Sequence, residues 1–172
     1  MITGIACCDA AWGIGKNNHL LVHLPGDMRF FREKTMGTKI VIGRKTLESF
    51  PGGKPLPGRD NYVLTGDMDY RREGCFFCHS VEEVLALAEQ DKDAVWMICG
   101  GASVYQGFLE HMDDAYITKV DGEFGADTFF PDLDAREDFV VDWESQTFEE
   151  EGKTYRFVHY VRKTDAGEDG TV

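Results

Sequence analysis

Nothing in the 172 residues approaches the run of about 20 apolar residues that a membrane-crossing helix needs. The opening Met1-Ile2-Thr3-Gly4-Ile5 lacks the basic flank and small-residue cleavage site of a secretory signal. These absences predict a cytoplasmic protein with no membrane partner. Positive charge is scarce as well: 18 Lys and Arg against 31 Asp and Glu leave a formal net charge of −13. General binding to nucleic acid or to an anionic membrane relies on basic surfaces, so no nucleic-acid partner is expected. Any anion must instead meet a site built locally from a few cations and backbone N–H groups. The histidines (His19, His23, His79, His111 and His159) have no metal-ligand spacing, and no metal is expected. No nucleophile elbow, Ser/His/Asp order, internal repeat or linker is visible. The length fits one domain, over residues 1–164, followed by a small, polar tail expected to be disordered over 165–172.

Cysteine is limited to five residues, an odd number, which argues against a disulfide framework. Cys75-Phe76-Phe77-Cys78-His79 matches a haem-attachment pattern, and the CxxC could also suggest zinc or redox chemistry. The segment reads as a strand, however, which points Cys75 and Cys78 to opposite faces, and no second CxxC exists. Buried, inert thiols are expected.

Strand patterns cover Ile2–Cys8, Lys39–Ile42, Asn61–Thr65, Cys75–Cys78, Ala94–Cys99 and Ala115–Val120. Two more, Phe139–Thr147 and Tyr155–Arg162, are expected to pair antiparallel around Glu150-Glu151-Gly152. Helical patterns start at Pro25 and cover Lys45–Ser49, Val81–Glu89 and Ser103–Leu109. Ser80 and Glu83 predict a capping box. Asp9–Leu24 reads as a glycine-bearing loop, and residues 51–58 as a rigid turn. Strands alternate with helices through residue 109, then strands dominate. The pattern predicts a single-domain α/β fold: a mostly parallel, twisted central sheet with an antiparallel C-terminal edge hairpin, flanked by about four helices.

Asp27 stands at the start of an apolar helix beside Met28, Phe30 and Phe31. Acids favour helix starts in any protein. The alternative is a carboxylate at the floor of an aromatic pocket, where two oxygens accept paired N–H bonds from a flat heterocycle and burial raises the pKa. Gly43-Arg44-Lys45-Thr46 follows a strand and opens a helix, which suits an anion or is simply a solvated basic turn. Gly100-Gly101 allows a close backbone approach between strand and helix. Arg59, after Pro57-Gly58, could clamp a carboxylate with its planar fork.

Taken together and in order, these segments resemble the dihydrofolate reductase family along nearly the whole chain. The motifs are Gly13-Ile14-Gly15, Asn18, Leu24-Pro25-Gly26-Asp27, Phe30-Phe31, Thr35, Gly43-Arg44-Lys45-Thr46 and the run from Pro51 to Arg59. Gly100-Gly101-Ala102-Ser103-Val104-Tyr105 and Ala126-Asp127-Thr128-Phe129-Phe130-Pro131 complete them. The resemblance implies hydride transfer from NADPH to C6 of dihydrofolate with protonation at N5. It also implies a dihydrofolate-reductase-like fold, a monomer, and antifolate molecules as ligands. Asp27, Thr118, Leu20 and Val22 would surround the reacting atoms. Ile5, Ala6, Cys7, Met28, Phe31, Ser49, Phe50, Leu56, Cys99 and Tyr105 would line the substrate pocket, and Arg59 would meet the substrate's carboxylate. Ala6, Cys7, Ile14, Gly15, Asn18, Leu20, Gly43, Arg44, Lys45, Thr46, Leu64, Thr65, Cys99, Gly100, Gly101, Ala102, Ser103, Val104, Tyr105 and Thr128 would hold the cofactor. The loop Asp9–Leu24 would close over it, and the Gly100–Gly101 bond would be cis.

Two departures stand out. Val22 occupies the place of a tryptophan whose indole orders a water near the acid. Ser103 and Gly66 replace an arginine and a serine common near the cofactor's 2′-phosphate, which leaves Arg44 and Thr65 to favour NADPH. Other readings are a same-fold reductase acting on a riboflavin-pathway pyrimidine and a non-catalytic folate or nucleotide binder.

Overall fold

The computed structural model describes residues 1–164, and the tail segment 165–172 lies outside the described residues. In chain order the elements are β1 (Ile2–Cys8), β2 (Gly13–Lys16), β3 (His19–Leu20), α1 (Pro25–Thr35), β4 (Lys39–Gly43), α2 (Arg44–Ser49), β5 (Asp60–Leu64) and β6 (Cys75–Cys78). They continue with α3 (Val81–Gln90), β7 (Trp96–Gly100), α4 (Ala102–Phe108), β8 (Asp114–Val120), β9 (Thr128–Phe129), β10 (Phe139–Glu144), β11 (Phe148–Glu150) and β12 (Lys153–Arg162).

The main sheet runs β10-β12-β8-β1-β7-β4-β5-β6, with β11 also on β12. From β8 to β6 every pairing is parallel, and β12 turns antiparallel against β8, β10 and β11. The mostly parallel sheet with an antiparallel edge and four α-helices agrees with the sequence expectation. Its central strands are apolar on both faces because both faces are covered. In β4, Val41 joins one buried cluster, with Trp96, Ile98 and Phe108, while Ile40 and Ile42 join the other, with Ile5, Val63 and Met97. The strand's two-residue alternation sorts them. It also sorts the cysteines of β6: Cys78 enters the first cluster and Cys75 the second. All five thiols are free.

Three expectations need correction. The segment Asp9–Leu24 is not plain loop, because β2 pairs with β3 and with the distant β9 in a second, three-stranded sheet. Gly13 and Gly15 give no apolar alternation, so the strand had no signal. The turn did: Asn17 and Asn18 both have positive φ (53° and 64°), which is the hairpin geometry that asparagine tolerates. The predicted strand Phe139–Thr147 is broken into β10 and β11. At the break the Ser145 side-chain oxygen accepts the Phe157 N–H at 2.9 Å, replacing one of the two ladder bonds, while the Ser145 N–H still donates to the Phe157 carbonyl at 2.9 Å. Finally, the capping box is half-formed. Ser80 Oγ accepts the Glu83 N–H at 3.2 Å, but the Glu83 carboxylate accepts from His79, at 3.0 Å, rather than from Ser80. β6 ends at Cys78, so the His79 N–H has no strand partner and takes that oxygen.

No helix among the described residues is long and apolar enough to cross a membrane.

Candidate active site

Asp27 sits in the first turn of α1, which Pro25 opens without a side-chain cap at Leu24. Its carboxylate turns toward the sheet. Thr118 Oγ1 on β8 donates to Asp27 Oδ1 at 2.6 Å. Cys7 on β1, the register partner of Thr118, places its thiol beside the same carboxylate. Burial raises the Asp27 pKa above the usual carboxylate range, while the Thr118 hydroxyl and the Cys7 thiol pull it down. Burial likewise pushes the Cys7, Cys8 and Cys99 thiols up, so none is a ready nucleophile.

The apolar residues assigned to substrate converge. Ile5 is buried, and Phe31, Phe50, Leu56 and Cys99 pack against its cluster. Met28, at 37% exposure, lies at the rim of α1. Phe30 packs against the same cluster and stacks on Phe157 with centroids 4.0 Å apart. Val22 is buried with Leu24, Val120 and Tyr155 in a separate small cluster that Cys7 adjoins.

Gly58 sets up Arg59. Its φ is 78°, and a Cβ there would collide with the Met36 sulfur, so both backbone shape and space call for glycine. The Arg59 guanidinium donates to the Pro57 carbonyl and to Thr35 Oγ1, at 2.8–3.1 Å. Burial, then the neighbouring Arg32 charge, lower its pKa. Within the described residues it has no carboxylate partner.

Beside this region lies a cleft of about 960 Å³. Every residue assigned to the cofactor from sequence lines it, from Ala6 and Cys7 through Gly43–Thr46 and Leu64-Thr65 to Cys99–Tyr105 and Thr128. Ser49 lines it too. Asp27, Thr118, Ile5, Met28, Phe31, Phe50, Leu56, Arg59 and Val22 are not on its wall; all but Met28 adjoin it through Cys7 or Cys99. The first turns of α2 and α4 face the cleft without side-chain caps. Their N–H groups are therefore free to donate. Glycine at 43, 100 and 101 keeps Cβ atoms out of the floor between them, and the Gly100–Gly101 bond is cis, as expected. Tyr105 braces this corner by donating to the Ile5 carbonyl at 2.6 Å.

Five wall residues were missed, His19, Asp67, His79, Ser80 and Val81, while Gly66, set near the cofactor from the sequence, also lines the wall. Asp67 follows the end of β5, and His79, Ser80 and Val81 follow the end of β6, whereas His19 lies on β3. Asp67 brings an anion to the cleft that Arg44 and Lys45 also line.

The segment Asp9–Leu24 is braced at its base. Asp9, only 3% exposed, accepts from Gly13 at 2.7 Å and Ala11 at 3.0 Å through Oδ1, and from Phe124 at 3.0 Å through Oδ2. Asp127 accepts from Asn17 at 3.0 Å.

A mostly parallel α/β sheet with a large cleft beside a half-buried acid is the architecture of a small-molecule enzyme. The family model for dihydrofolate reductase matches residues 1–162. The chain is 36% identical to the dihydrofolate reductase of Bacillus subtilis (strain 168) over 171 residues, 99% of each protein. It is 38% identical over 161 residues to that of Neisseria meningitidis serogroup A, covering 94% of this chain and 98% of the relative. Among solved structures, the dihydrofolate reductase from Enterococcus faecalis complexed with NADP(H) and RAB-propyl superposes with a TM-score of 0.87 at 36% identity, over 95% of this chain and 97% of that one. This chain belongs to the dihydrofolate reductase family.

Proposed function

We propose that the chain reduces 7,8-dihydrofolate to 5,6,7,8-tetrahydrofolate, with Asp27 holding the pterin and governing proton delivery to N5. The observation that carries this is the half-buried Asp27 carboxylate, bonded to Thr118 and adjoining the large cleft through Cys7.

The donor set fits NADPH. Arg44, Lys45 and the uncapped N–H groups of α2 and α4 supply positive charge to phosphates, and the glycine floor leaves room for a diphosphate. When bound, the reduced nicotinamide supplies the hydride. The chain's own residues do the rest. Asp27 accepts two N–H bonds from the amino-pyrimidine edge, and Thr118 keeps that carboxylate turned toward the ring. Burial keeps its proton available at higher pH than an exposed acid would. Ile5, Phe31 and Phe50 grip the ring's faces, and Arg59, with no carboxylate partner among the described residues, takes the substrate's terminal carboxylate. The segment Asp9–Leu24 closes over the reacting atoms and excludes water, pivoting on its braced base.

Antifolates that present the same amino-pyrimidine edge are expected to occupy the Asp27 pocket. The protein is read as a monomeric, cytoplasmic enzyme, and light scattering checks its oligomeric state. The test of function is NADPH consumption on addition of dihydrofolate, compared with a riboflavin-pathway pyrimidine substrate. Turnover of dihydrofolate alone is expected. Indifference to it, or binding without turnover, would remove the reading.

A further inference from the structure

The helix that carries Asp27 has no cap in its own sequence. Leu24, before α1, has no side-chain oxygen to accept a first-turn N–H. Its carbonyl takes the first helical bond, from the Met28 N–H at 2.9 Å, and the Gly26 N–H is left without a helical partner. A residue 124 positions away supplies one: Gly26 donates to Glu150 Oε1 on β11 at 2.7 Å. The same oxygen accepts from the Tyr155 hydroxyl at 2.6 Å. Tyr155 is 3% exposed and packs with Val22, Leu24 and Val120, so it holds the carboxylate from a fixed base. Gly26 leaves the room, because a Cβ there would collide with both the Tyr155 hydroxyl and the Glu150 carboxylate. The paired strands β11 and β12 therefore seat the first turn of α1 one residue before Asp27.

Glu150 brings a charge as well as an acceptor. The Tyr155 hydroxyl and the Gly26 N–H, with the Arg29 charge on α1, hold its carboxyl below the usual carboxylate range, so it is ionised near neutrality. Burial is the strongest influence against the ionised form of Asp27. Thr118 from β8, Cys7 from β1 and the His23 ring ahead of α1 favour that form, and the Glu150 charge from β11 opposes it.

We propose that Glu150 is a positioning residue for the reaction: it serves as the missing cap of α1, which sets where the Asp27 carboxylate meets the substrate, and its charge acts on that carboxylate. The acceptor and the charge are separable, because glutamine keeps an oxygen for Gly26 and Tyr155 but is neutral. This rests on the reading that Asp27 governs proton delivery to dihydrofolate.

The test is kcat for dihydrofolate and Kd for NADPH, from about pH 5 to 9, in the wild type, Glu150→Gln and Glu150→Ala. Glu150→Gln is expected to match the wild-type kcat at the acid end. Its kcat should begin to fall at lower pH, leaving it about twofold to fivefold slower on the falling limb. Glu150→Ala should lose about tenfold in kcat at the acid end as well, through a misplaced Asp27. Kd for NADPH should be unchanged in both. A purely structural residue would lower Tm and leave the profile of the folded enzyme where it was. A Glu150→Gln profile that superimposes on the wild type's overturns this proposal alone, as does a folded Glu150→Ala enzyme with wild-type kcat. Should Glu150→Ala not fold, the Glu150→Gln profile decides; a Glu150→Gln protein that does not fold makes the charge structural and overturns the proposal too. A wild type that does not reduce dihydrofolate, or an Asp27→Asn enzyme as active as the wild type, overturns the Asp27 reading and this proposal with it.

Discussion

The Thr118 hydroxyl donates to Asp27 Oδ1 across 2.6 Å, tying the first turn of α1 to β8. The bond favours the ionised carboxylate, against a larger opposing effect from burial. Thr118→Val removes the smaller influence and leaves the larger. The fall of kcat with rising pH should therefore move to higher pH in this variant, as a pH–rate profile will show. A profile that moves to lower pH, or not at all, removes Thr118 from the network.

The same burial has a cost in stability. Because the folded-state pKa of Asp27 is raised, the folded chain binds this proton more tightly than the unfolded chain does. Stability is undiminished below the ordinary carboxylate range and falls as pH climbs through the raised value. Asp27→Asn relieves that penalty, so its Tm should exceed the wild type's at about pH 7 and converge with it at about pH 3. Scanning calorimetry at both values checks the sign.

Val22 is 7% exposed and has no donor to order a water beside Asp27. Val22→Trp introduces one, together with bulk that the Leu24, Val120 and Tyr155 cluster must accommodate. Both the pH–rate profile and the affinity for a diaminopyrimidine antifolate are expected to change. If both stay put, position 22 plays no part in proton delivery.

Arg59 and Arg44 should fail differently. Loss of a charge-assisted contact costs about 1.5–3 kcal/mol, or roughly tenfold to a hundredfold in affinity. Arg59→Ala should raise KM for dihydrofolate by that factor with little change in kcat, and spare a substrate analogue that lacks the terminal carboxylate. Arg44→Ala should weaken NADPH similarly while leaving NADH almost untouched. Steady-state kinetics with both cofactors separates the two effects.

Much of this architecture was legible before any coordinates. The runs Ile2–Cys8 and Cys75–Cys78 became strands with those bounds: apolar composition marks a short strand clearly, whether buried at the centre like Ile2–Cys8 or half-exposed at the sheet edge like Cys75–Cys78. What stayed hidden depended on partners distant in sequence. β2 owes its existence to β9, more than a hundred residues on, and glycine-rich strands have no pattern of their own. The break at Ser145 came from one side chain competing for a backbone N–H. In the site, residues carrying a recognisable motif fell on or beside the cleft. Asp67 did not stand out, and His79 did so only in a haem-attachment pattern that the strand ruled against, because a single polar residue after a strand is indistinguishable from a surface position until the opposite wall is placed.

The most direct test is the turnover of dihydrofolate by Asp27→Asn against the wild type at about pH 7. Removing a positioned proton donor should cost about 10²–10⁴-fold in kcat, with part of the loss recovered toward acid pH, where solvent can protonate the ring instead. An Asp27→Asn enzyme that turns over within a fewfold of the wild type would contradict the account at its base.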